Sequence, residues 1–264
     1  MPAIDLNADM GEFAEPCASA REAALMPLLS SCSVACGGHT GTRETMRTTL
    51  SRAAAAGVRC GVHPSYPDRK NFGRVAMAIP EAELRDQLRR QIDGCLEIAE
   101  AMSVRLYHLK PHGALYNVSA ASQSLSELIA TLTKSYGLSL YGPPGSALET
   151  QALIADVPFV GEGFVDRAYQ PNGALVPRSQ AGALIGSVSK RAAQALTLAR
   201  GQRLRLQPLP AEKPKLLCLT VQTLCIHGDD PKAFETARAI HAAFDRHEIR
   251  VEAPAQRFNE KALS

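Results

Sequence analysis

The sequence lacks the features that mark membrane, secreted and nucleic-acid-binding proteins. No segment approaches the roughly eighteen apolar residues of a transmembrane helix, and the first residues show no basic segment followed by an apolar one, as a secretory signal would. The 29 Lys and Arg residues against 26 Asp and Glu give a net charge of only +3 and form no basic stripe. We therefore expect a soluble, cytoplasmic protein with neither a membrane nor nucleic acid as a partner.

Nucleotide-binding and serine hydrolase motifs are missing as well. The sequence has no G-x-x-x-x-G-K-[ST] loop, and its one glycine-rich candidate, which begins at Gly161, has Asp166 in place of the last glycine of G-x-G-x-x-G. A G-x-S-x-G nucleophile motif is also absent. The sequence thus supports neither a phosphate-binding loop nor a serine hydrolase mechanism.

The seven cysteines do not suggest a disulfide framework, because their number is odd. Cys32 and Cys36 are too far apart in the sequence for a C-x-x-C pair, and no neighbouring residues complete a zinc site. Five cysteines lie in apolar, strand-like segments, namely Cys32, Cys36, Cys60, Cys218 and Cys225. A thiol in such surroundings packs as a small hydrophobic group, so we interpret these five as core residues.

Short β-like segments alternate with helical patterns along nearly the whole chain. The patterns predict strands over residues 3–9, 32–36, 58–62, 105–109, 138–141, 159–161 and 216–226. Helices are predicted over residues 18–29, 42–56, 122–134, 146–155, 182–200 and 232–247, with a long helix that opens at Pro80. About seven βα units imply right-handed crossovers and a parallel sheet. The predicted fold class is α/β, with a single β/α barrel over residues 1–252, a C-terminal tail over 253–264 and a Pro-rich surface segment over 207–215.

The first predicted strand alternates polar and apolar residues. Asp5, Asn7 and Asp9 fall on one face, and apolar residues fall on the other. One interpretation is an edge strand with a solvated face. The other is a barrel strand whose polar side chains face the interior and the mouth of the barrel, where a site would lie.

Histidines follow the ends of four predicted strands. They are His39, His63, His112 and His227. Any one of them alone would more often be a structural residue, but parallel strands bring their carboxyl ends together at one mouth. Lys110 lies at the same place after the fourth strand, whereas His108, two residues earlier, is predicted to be hydrogen-bonded inside the barrel. This pattern is the strongest indication of a functional site.

The segment over residues 162–180 is too polar for a core and too long for a simple connection. We interpret it as a substrate loop. Its Arg167 and Arg178 each carry a planar set of donors that can bind a carboxylate with two hydrogen bonds, although a loop-bracing role is an equal alternative for each.

Eight motifs together resemble one protein family. They are DLNADMGE at residues 5–12, ACGGHTG at 35–41, GVHPSYPD at 61–68, FGR at 72–74, HLKPHGALYN at 108–117, DRAY at 166–169, LVPRSQ at 175–180 and IHGD at 226–229. On these motifs the chain resembles the LamB/YcsF family, the A subunits of prokaryotic 5-oxoprolinase, over roughly residues 3–250. It departs from the family around Gly38 and residues 40–42, where a Phe, an Ala and an acidic residue are more usual.

The resemblance implies both a fold and a reaction. It implies a seven-stranded variant of the TIM barrel, similar to polysaccharide-deacetylase-like enzymes. It also implies ATP-coupled hydrolysis of the lactam 5-oxo-L-proline to L-glutamate, together with 5-oxoprolinase subunits B and C. Because closure of this lactam ring is favourable, its opening must be driven, and ATP is the expected cosubstrate. The missing nucleotide motif suggests that the partner subunits bind the ATP.

The same resemblance suggests roles for residues at the barrel mouth. Asp9 or Glu12 would be the general base for the attacking water, His63 and His112 would be acid or orienting groups, and Lys110 would stabilise developing negative charge. The substrate-binding candidates are Asn7, His39, Asn117, Arg167, Tyr169, Arg178, His227 and Asp229.

Two alternatives remain at the level of sequence. In the first, the chain is a stand-alone metal-dependent amidohydrolase or deacetylase, in which a divalent ion bound by Asp9, His39, His63 or His112 activates water. In the second, it is a non-catalytic regulatory subunit. Metal content separates the first alternative from the rest, and an assay of the complex with variants of the mouth residues separates the second.

Overall fold

A computed structural model describes residues 1–13, 15–206 and 215–255. Residues 207–214 of the predicted Pro-rich segment and residues 256–264 of the predicted tail lie outside the described residues. None of the helices in these ranges combines the length and apolar character needed to cross a membrane.

The described residues form ten strands. In chain order they are β1 (Ala3–Met10), β2 (Ser31–Ala35), β3 (Arg59–His63), β4 (Leu106–Leu109), β5 (Ser139–Gly142), β6 (Phe159–Phe164), β7 (Leu204–Arg205), β8 (Leu216–Leu217), β9 (Thr223–Ile226) and β10 (Arg250–Val251). Strands β1 to β6 are parallel neighbours in sequence order, and β9 pairs in parallel with both β6 and β1. These seven strands therefore close into a barrel, as predicted. The short strand β10 adds to the beginning of β1, and β7 and β8 form a separate antiparallel pair.

Eight α-helices accompany the barrel in the described ranges. They are α1 (Pro16–Leu25), α2 (Arg43–Ala56), α3 (Glu81–Ala101), α4 (Gly113–Ala121), α5 (Gln123–Ser135), α6 (Ala147–Ile154), α7 (Val188–Ala199) and α8 (Ala233–Asp245). Local sequence explains several of their ends. Thr42 and Thr45 form a reciprocal capping box at the start of α2, and Gly57 ends that helix in the left-handed conformation with φ 69°.

Alternating side chains of β1 face two different environments, the apolar layer beneath the helices and the interior of the barrel. Leu6 and Ala8 are fully buried in the apolar layer between strands and helices. On the opposite face Asp5 accepts hydrogen bonds from the hydroxyls of Ser31 (2.7 Å) and Thr223 (2.6 Å), so this face looks into the barrel. Because β1 pairs along its length with β2 and β9, the edge-strand interpretation is wrong. The interior of the barrel is therefore polar, and polar side chains continue along it to the mouth.

Several predicted elements differ from the structure. The strand predicted over 216–226 is two strands, β8 and β9, because the intervening chain leaves the sheet and packs against β6. There the Gly161 N–H donates to Gln222 Oε1 at 2.6 Å, and the Thr220 carbonyl oxygen would lie only 2.6 Å from a side chain at Gly161. The helix predicted over 182–200 begins at Val188, after the N-cap Ser187. Helix α4 was not predicted.

The cysteine interpretation holds for four of the five positions. Cys32, Cys36, Cys60 and Cys225 are buried, whereas Cys218 is exposed. The exposure of Cys218 has the same cause as the divided strand, because the residue directly follows the short β8 and does not continue into the barrel.

Candidate functional site

A cavity of about 670 Å³ opens at the carboxyl ends of the barrel strands. The predicted site residues that line it are Asp9, Glu12, His63, Lys110, His112, Asn117, Arg167, Tyr169, Arg178 and His227. Of the other predicted residues, Asn7 lies just beneath the cavity, where it contacts Lys110, and His39 lies against Glu12. Asp229 pairs instead with the exposed Arg74 at 2.8 Å.

Lys110 is the buried cation at the floor of this cavity. Its Nζ lies 2.5 Å from Asp9 Oδ1, 3.0 Å from Glu162 Oε1 and 2.9 Å from Asn7 Oδ1. Burial alone would favour the neutral amine, but the neighbouring negative charges outweigh it and raise the pKa of Lys110 well above its ordinary value. Lys110 is therefore an ammonium group held in a fixed position by β1 and β6.

Asp9 is the partner of Lys110 that reaches the cavity. Burial opposes its ionisation, but the charges of His63 and Lys110 are stronger and hold the pKa of Asp9 well below its usual range. Its second oxygen, Oδ2, lies 3.3 Å from Nε2 of His63. The site thus contains an ionised carboxylate between a fixed cation and an imidazole.

A second cluster lies beside Asp9 and consists of Glu12, His39, His63 and His112. Each residue offers one oxygen or nitrogen atom, and these four atoms lie within 4.8 Å of one another. Glu12 Oε1 is 2.7 Å from His39 Nε2, and the rings of His39 and His112 stack with centroids 3.6 Å apart. Such a donor set can hold a metal ion, and the structure groups Glu12, not Asp9, with the three histidines.

The electrostatics of this cluster are set mainly by burial. Burial lowers the pKa of His39 to about 2 and holds the pKa of His112 well below its usual value. The Glu12 carboxyl shifts in the opposite direction, since burial and the nearby charge of Asp9 raise its pKa to about 8. In the absence of a bound cation, His39, His112 and the Glu12 carboxyl are therefore mainly neutral at neutral pH.

The predicted substrate loop supplies Arg167 to the cavity wall. Its guanidinium is buried, donates to the Val176 carbonyl oxygen at 2.7 Å, and has a buried Nε without a hydrogen-bond partner among the described atoms. Burial and the nearby charge of Arg178 lower the pKa of Arg167 to about 10, so it remains cationic at neutral pH. Arg167 thus contributes a positive charge to the cavity wall.

Other predicted binding residues have partners within the protein. The Tyr169 hydroxyl accepts the Phe164 N–H at 2.5 Å. Asn117 lies on α4 and donates to the Gly113 carbonyl oxygen at 3.1 Å. These contacts indicate that both residues brace the wall of the cavity.

His227 also has a hydrogen-bond partner within the protein. Its Nδ1 lies 2.8 Å from Asp166 Oδ1. Burial opposes the ionisation of Asp166, but the charge of His227 outweighs it and lowers the pKa of that carboxyl. The pair braces the mouth of the barrel between β6 and β9.

Sequence reasoning missed two residues that face the cavity. Glu162 was assigned to the polar loop, but it belongs to β6 and binds Lys110. Its alternation with Gly161 and Gly163 carried no apolar periodicity that could have identified a strand. Arg74 also lines the cavity, and its only sequence signal was membership of the FGR motif.

Comparisons with known proteins give relatives over nearly the whole chain. The model of the LamB/YcsF family matches residues 4–259. The curated A subunit of 5-oxoprolinase from Bordetella parapertussis is 39% identical over 254 residues, which cover 96% of this chain and 99% of that protein.

Solved structures agree with the fold. A lactam utilization protein from Thermus thermophilus matches with a TM-score of 0.85 at 33% identity, over 96% of this chain and 100% of that chain. A family 4 carbohydrate esterase from Streptomyces lividans matches with a TM-score of 0.50 at 12% identity, over 96% and 93% of the two chains, which supports a similar fold alone. The family match and the relative at 39% identity each extend over the motifs that form the cavity. The chain belongs to the LamB/YcsF family.

Proposed function

We propose that this chain is the ring-opening component of an ATP-coupled 5-oxoprolinase, which hydrolyses 5-oxo-L-proline to L-glutamate with subunits B and C. The observation that carries the proposal is the buried Lys110 beside the ionised Asp9 at one cavity, with a cluster of three histidines and Glu12 next to them. The names of two relatives, the A subunit of 5-oxoprolinase and the lactam utilization protein, support the same substrate class.

Opening a lactam requires that negative charge on the carbonyl oxygen be stabilised as water attacks. Lys110 suits this role because its raised pKa keeps it charged and its contacts with Asp9 and Glu162 fix its position before the reaction. Preorganised charge of this kind costs no reorganisation when the transition state forms. In this assignment Lys110 is the electrostatic group of the site.

The two carboxylates at the cavity have different surroundings. Asp9 pairs with Lys110 at 2.5 Å and is therefore suited to hold that cation and to orient a water molecule. Glu12 has only His39 and His112 as ion-pair partners among the described residues. We therefore propose that the cluster of Glu12, His39, His63 and His112 accepts the proton of the attacking water.

The substrate also carries a carboxylate outside the ring. Arg167 can bind it, because its guanidinium lines the cavity and stays cationic at neutral pH. Arg178 lies on the same cavity wall and adds positive charge there. In this proposal the carboxylate would lie towards the substrate loop and the amide would face Lys110.

The division of labour with the partners follows from the energetics of the reaction. An unstrained lactam needs coupling to ATP, and this chain carries no phosphate-loop motif. We therefore assign ATP to the partner subunits and water attack to this chain.

The test is an assay of glutamate release from 5-oxoproline. The chain is assayed alone, with ATP, and with ATP and co-purified subunits B and C. We expect glutamate only in the last mixture. Hydrolysis by the chain alone, without ATP, would support the stand-alone metal-dependent amidohydrolase, which the histidine cluster keeps as the second candidate function.

A further inference from the structure

Backbone carbonyl groups determine which nitrogen of two cavity histidines carries hydrogen. His63 Nδ1 lies 2.7 Å from the Lys110 carbonyl oxygen, and His112 Nε2 lies 2.9 Å from the Phe72 carbonyl oxygen. A carbonyl oxygen can only accept a hydrogen bond, so each of these nitrogens is the one that bears hydrogen. The other nitrogen of each neutral ring, Nε2 of His63 and Nδ1 of His112, must then present a lone pair.

These two lone pairs face each other. Nε2 of His63 and Nδ1 of His112 are 3.0 Å apart, with both side chains buried, and the Asp9 Oδ2 acceptor lies 3.3 Å from the same Nε2. Two acceptors at this distance repel unless a cation lies between them, either a proton or a metal ion. Metal-ligating histidines usually donate their second ring N–H to a carbonyl or carboxylate, and that is the arrangement of both rings here.

Glu12 and His39 complete a set of four donors. Glu12 Oε1 lies 2.7 Å from His39 Nε2 and 3.5 Å from His112 Nδ1. Ligand atoms at the roughly 2.0–2.1 Å typical of zinc lie about 3.3 Å from one another in a tetrahedral site. The separations of 2.7, 3.0 and 3.5 Å bracket this value and all four atoms lie within 4.8 Å of one another, so the cluster can enclose one ion after adjustments of side chains.

The loop after β3 is built closely around the cluster. Phe72, which supplies the carbonyl acceptor, has φ 55°, a left-handed conformation that a residue with a bulky side chain adopts only when its surroundings impose it. A side chain at the next residue, Gly73, would lie 2.9 Å from His39 Cβ and 3.0 Å from His112 Cδ2. The backbone here approaches both rings closely and holds them in place.

We propose that Glu12, His39, His63 and His112 bind one divalent transition-metal ion of the zinc or cobalt type. Imidazole with one carboxylate suits these ions better than magnesium or calcium, which prefer sites made of oxygen. Asp9 is left out of the set because Lys110 already compensates its charge at 2.5 Å. The proposal rests on the proposed function only for its role, since a bound ion of this kind could activate the attacking water by taking it as a fifth ligand.

The experiment measures binding and needs no turnover. The full chain is stripped with a chelator and titrated with Co²⁺, whose visible absorption bands report coordination by nitrogen and oxygen, and Zn²⁺ is then added to displace it. We expect one ion per chain. Glu12→Gln, which preserves side-chain size, and His63→Gln should each weaken binding by at least about 100-fold. Loss of a residue that only supports a ligand, without binding the ion itself, weakens binding by about 10- to 100-fold. His247→Ala, which removes an exposed histidine of the turn after α8, should bind as the parent does.

Two results would overturn the proposal. A stripped chain that shows no Co²⁺ spectrum and retains no zinc by elemental analysis would leave a shared proton as the cation between His63 and His112. Binding that survives both Glu12→Gln and His63→Gln would place the ion elsewhere. If His63→Gln does not fold, Glu12→Gln decides alone, with circular dichroism as the check of folding. A chain that binds the ion as expected but gives no glutamate with its partners would reject the proposed function and keep the metal site.

Discussion

Lys110 illustrates how a single residue serves both the fold and the site. It is only 2% exposed and lies between the carboxylates of Asp9 and Glu162. The balance of charges is uneven, because one cation faces two anions. Removal of the cation and removal of one anion should therefore have different consequences for stability.

We predict that Lys110→Met lowers the free energy of unfolding by about 3–5 kcal/mol, because it leaves Asp9 and Glu162 buried without their cation. Urea denaturation followed by circular dichroism measures this change. Arg43→Met is the control, since it removes a solvent-exposed ion pair with Glu97 and should have little measurable effect. Equal losses in both variants, or no loss in Lys110→Met, would contradict the charge balance described here.

Individual residues also show how much of the site could be located from the sequence. Histidines at the strand ends could be recognised because a parallel barrel brings those ends together, and His63 and His112 do meet at 3.0 Å. The pairing of Asp9 with Lys110 as well as with His63 could not be recognised, because it depends on Lys110 reaching 2.5 Å from Asp9 across the barrel. Spacing along the chain carries no information about that contact.

At the scale of elements, strands were predicted well where burial leaves a regular pattern in the local sequence. The alternation of β1 and the apolar runs of β2 and β3 reflect burial that local sequence records. The apolar stretch around β8 and β9 misled the prediction because its middle forms a close contact with Gly161 instead of a strand. Helix α4 was missed because its first residues were interpreted only as site residues.

The glycines of β3 and α3 offer a test of packing at this scale. A side chain at Gly61 would lie 2.3 Å from the His108 ring, which stacks on Tyr141 and lies 2.9 Å from the Ser33 hydroxyl. We predict that Gly61→Ala lowers the free energy of unfolding by about 1–3 kcal/mol through overpacking of the barrel interior.

Gly94 in α3 is the matched control, because a side chain there would meet nothing within 4 Å. Gly94→Ala should raise the free energy of unfolding by about 0.5–1 kcal/mol, since alanine favours the helix. Both values come from the same urea denaturation. A neutral Gly61→Ala would show that His108 can move aside and that the barrel interior is looser than the structure describes.

At the scale of the whole molecule, closure of the barrel by β9 is what creates the site. β9 pairs with β1 and β6 together, and this brings Asp9 from one strand and Glu162 from the other to the same lysine. The family resemblance predicted this architecture as a seven-stranded barrel, and the fold confirms it. Apolar packing lies outside the barrel against the helices, and the polar interior leads to the site.

The central claim is that water attacks the lactam in this barrel, and Asp9→Asn in the assembled complex tests it most directly. The substitution should leave the fold intact, because Lys110 then faces the single anion Glu162 and the buried charges balance. The measurement is glutamate formed from 5-oxoproline and ATP by the complex with subunits B and C, after assembly has been verified by size-exclusion chromatography. We predict a loss of about 10²-fold or more, because without the Asp9 carboxylate neither the attacking water nor the Lys110 ammonium is held in its position for the reaction. A variant complex that assembles, melts at the parental temperature and forms glutamate at the parental rate would contradict the claim and place the chemistry in one of the partner subunits.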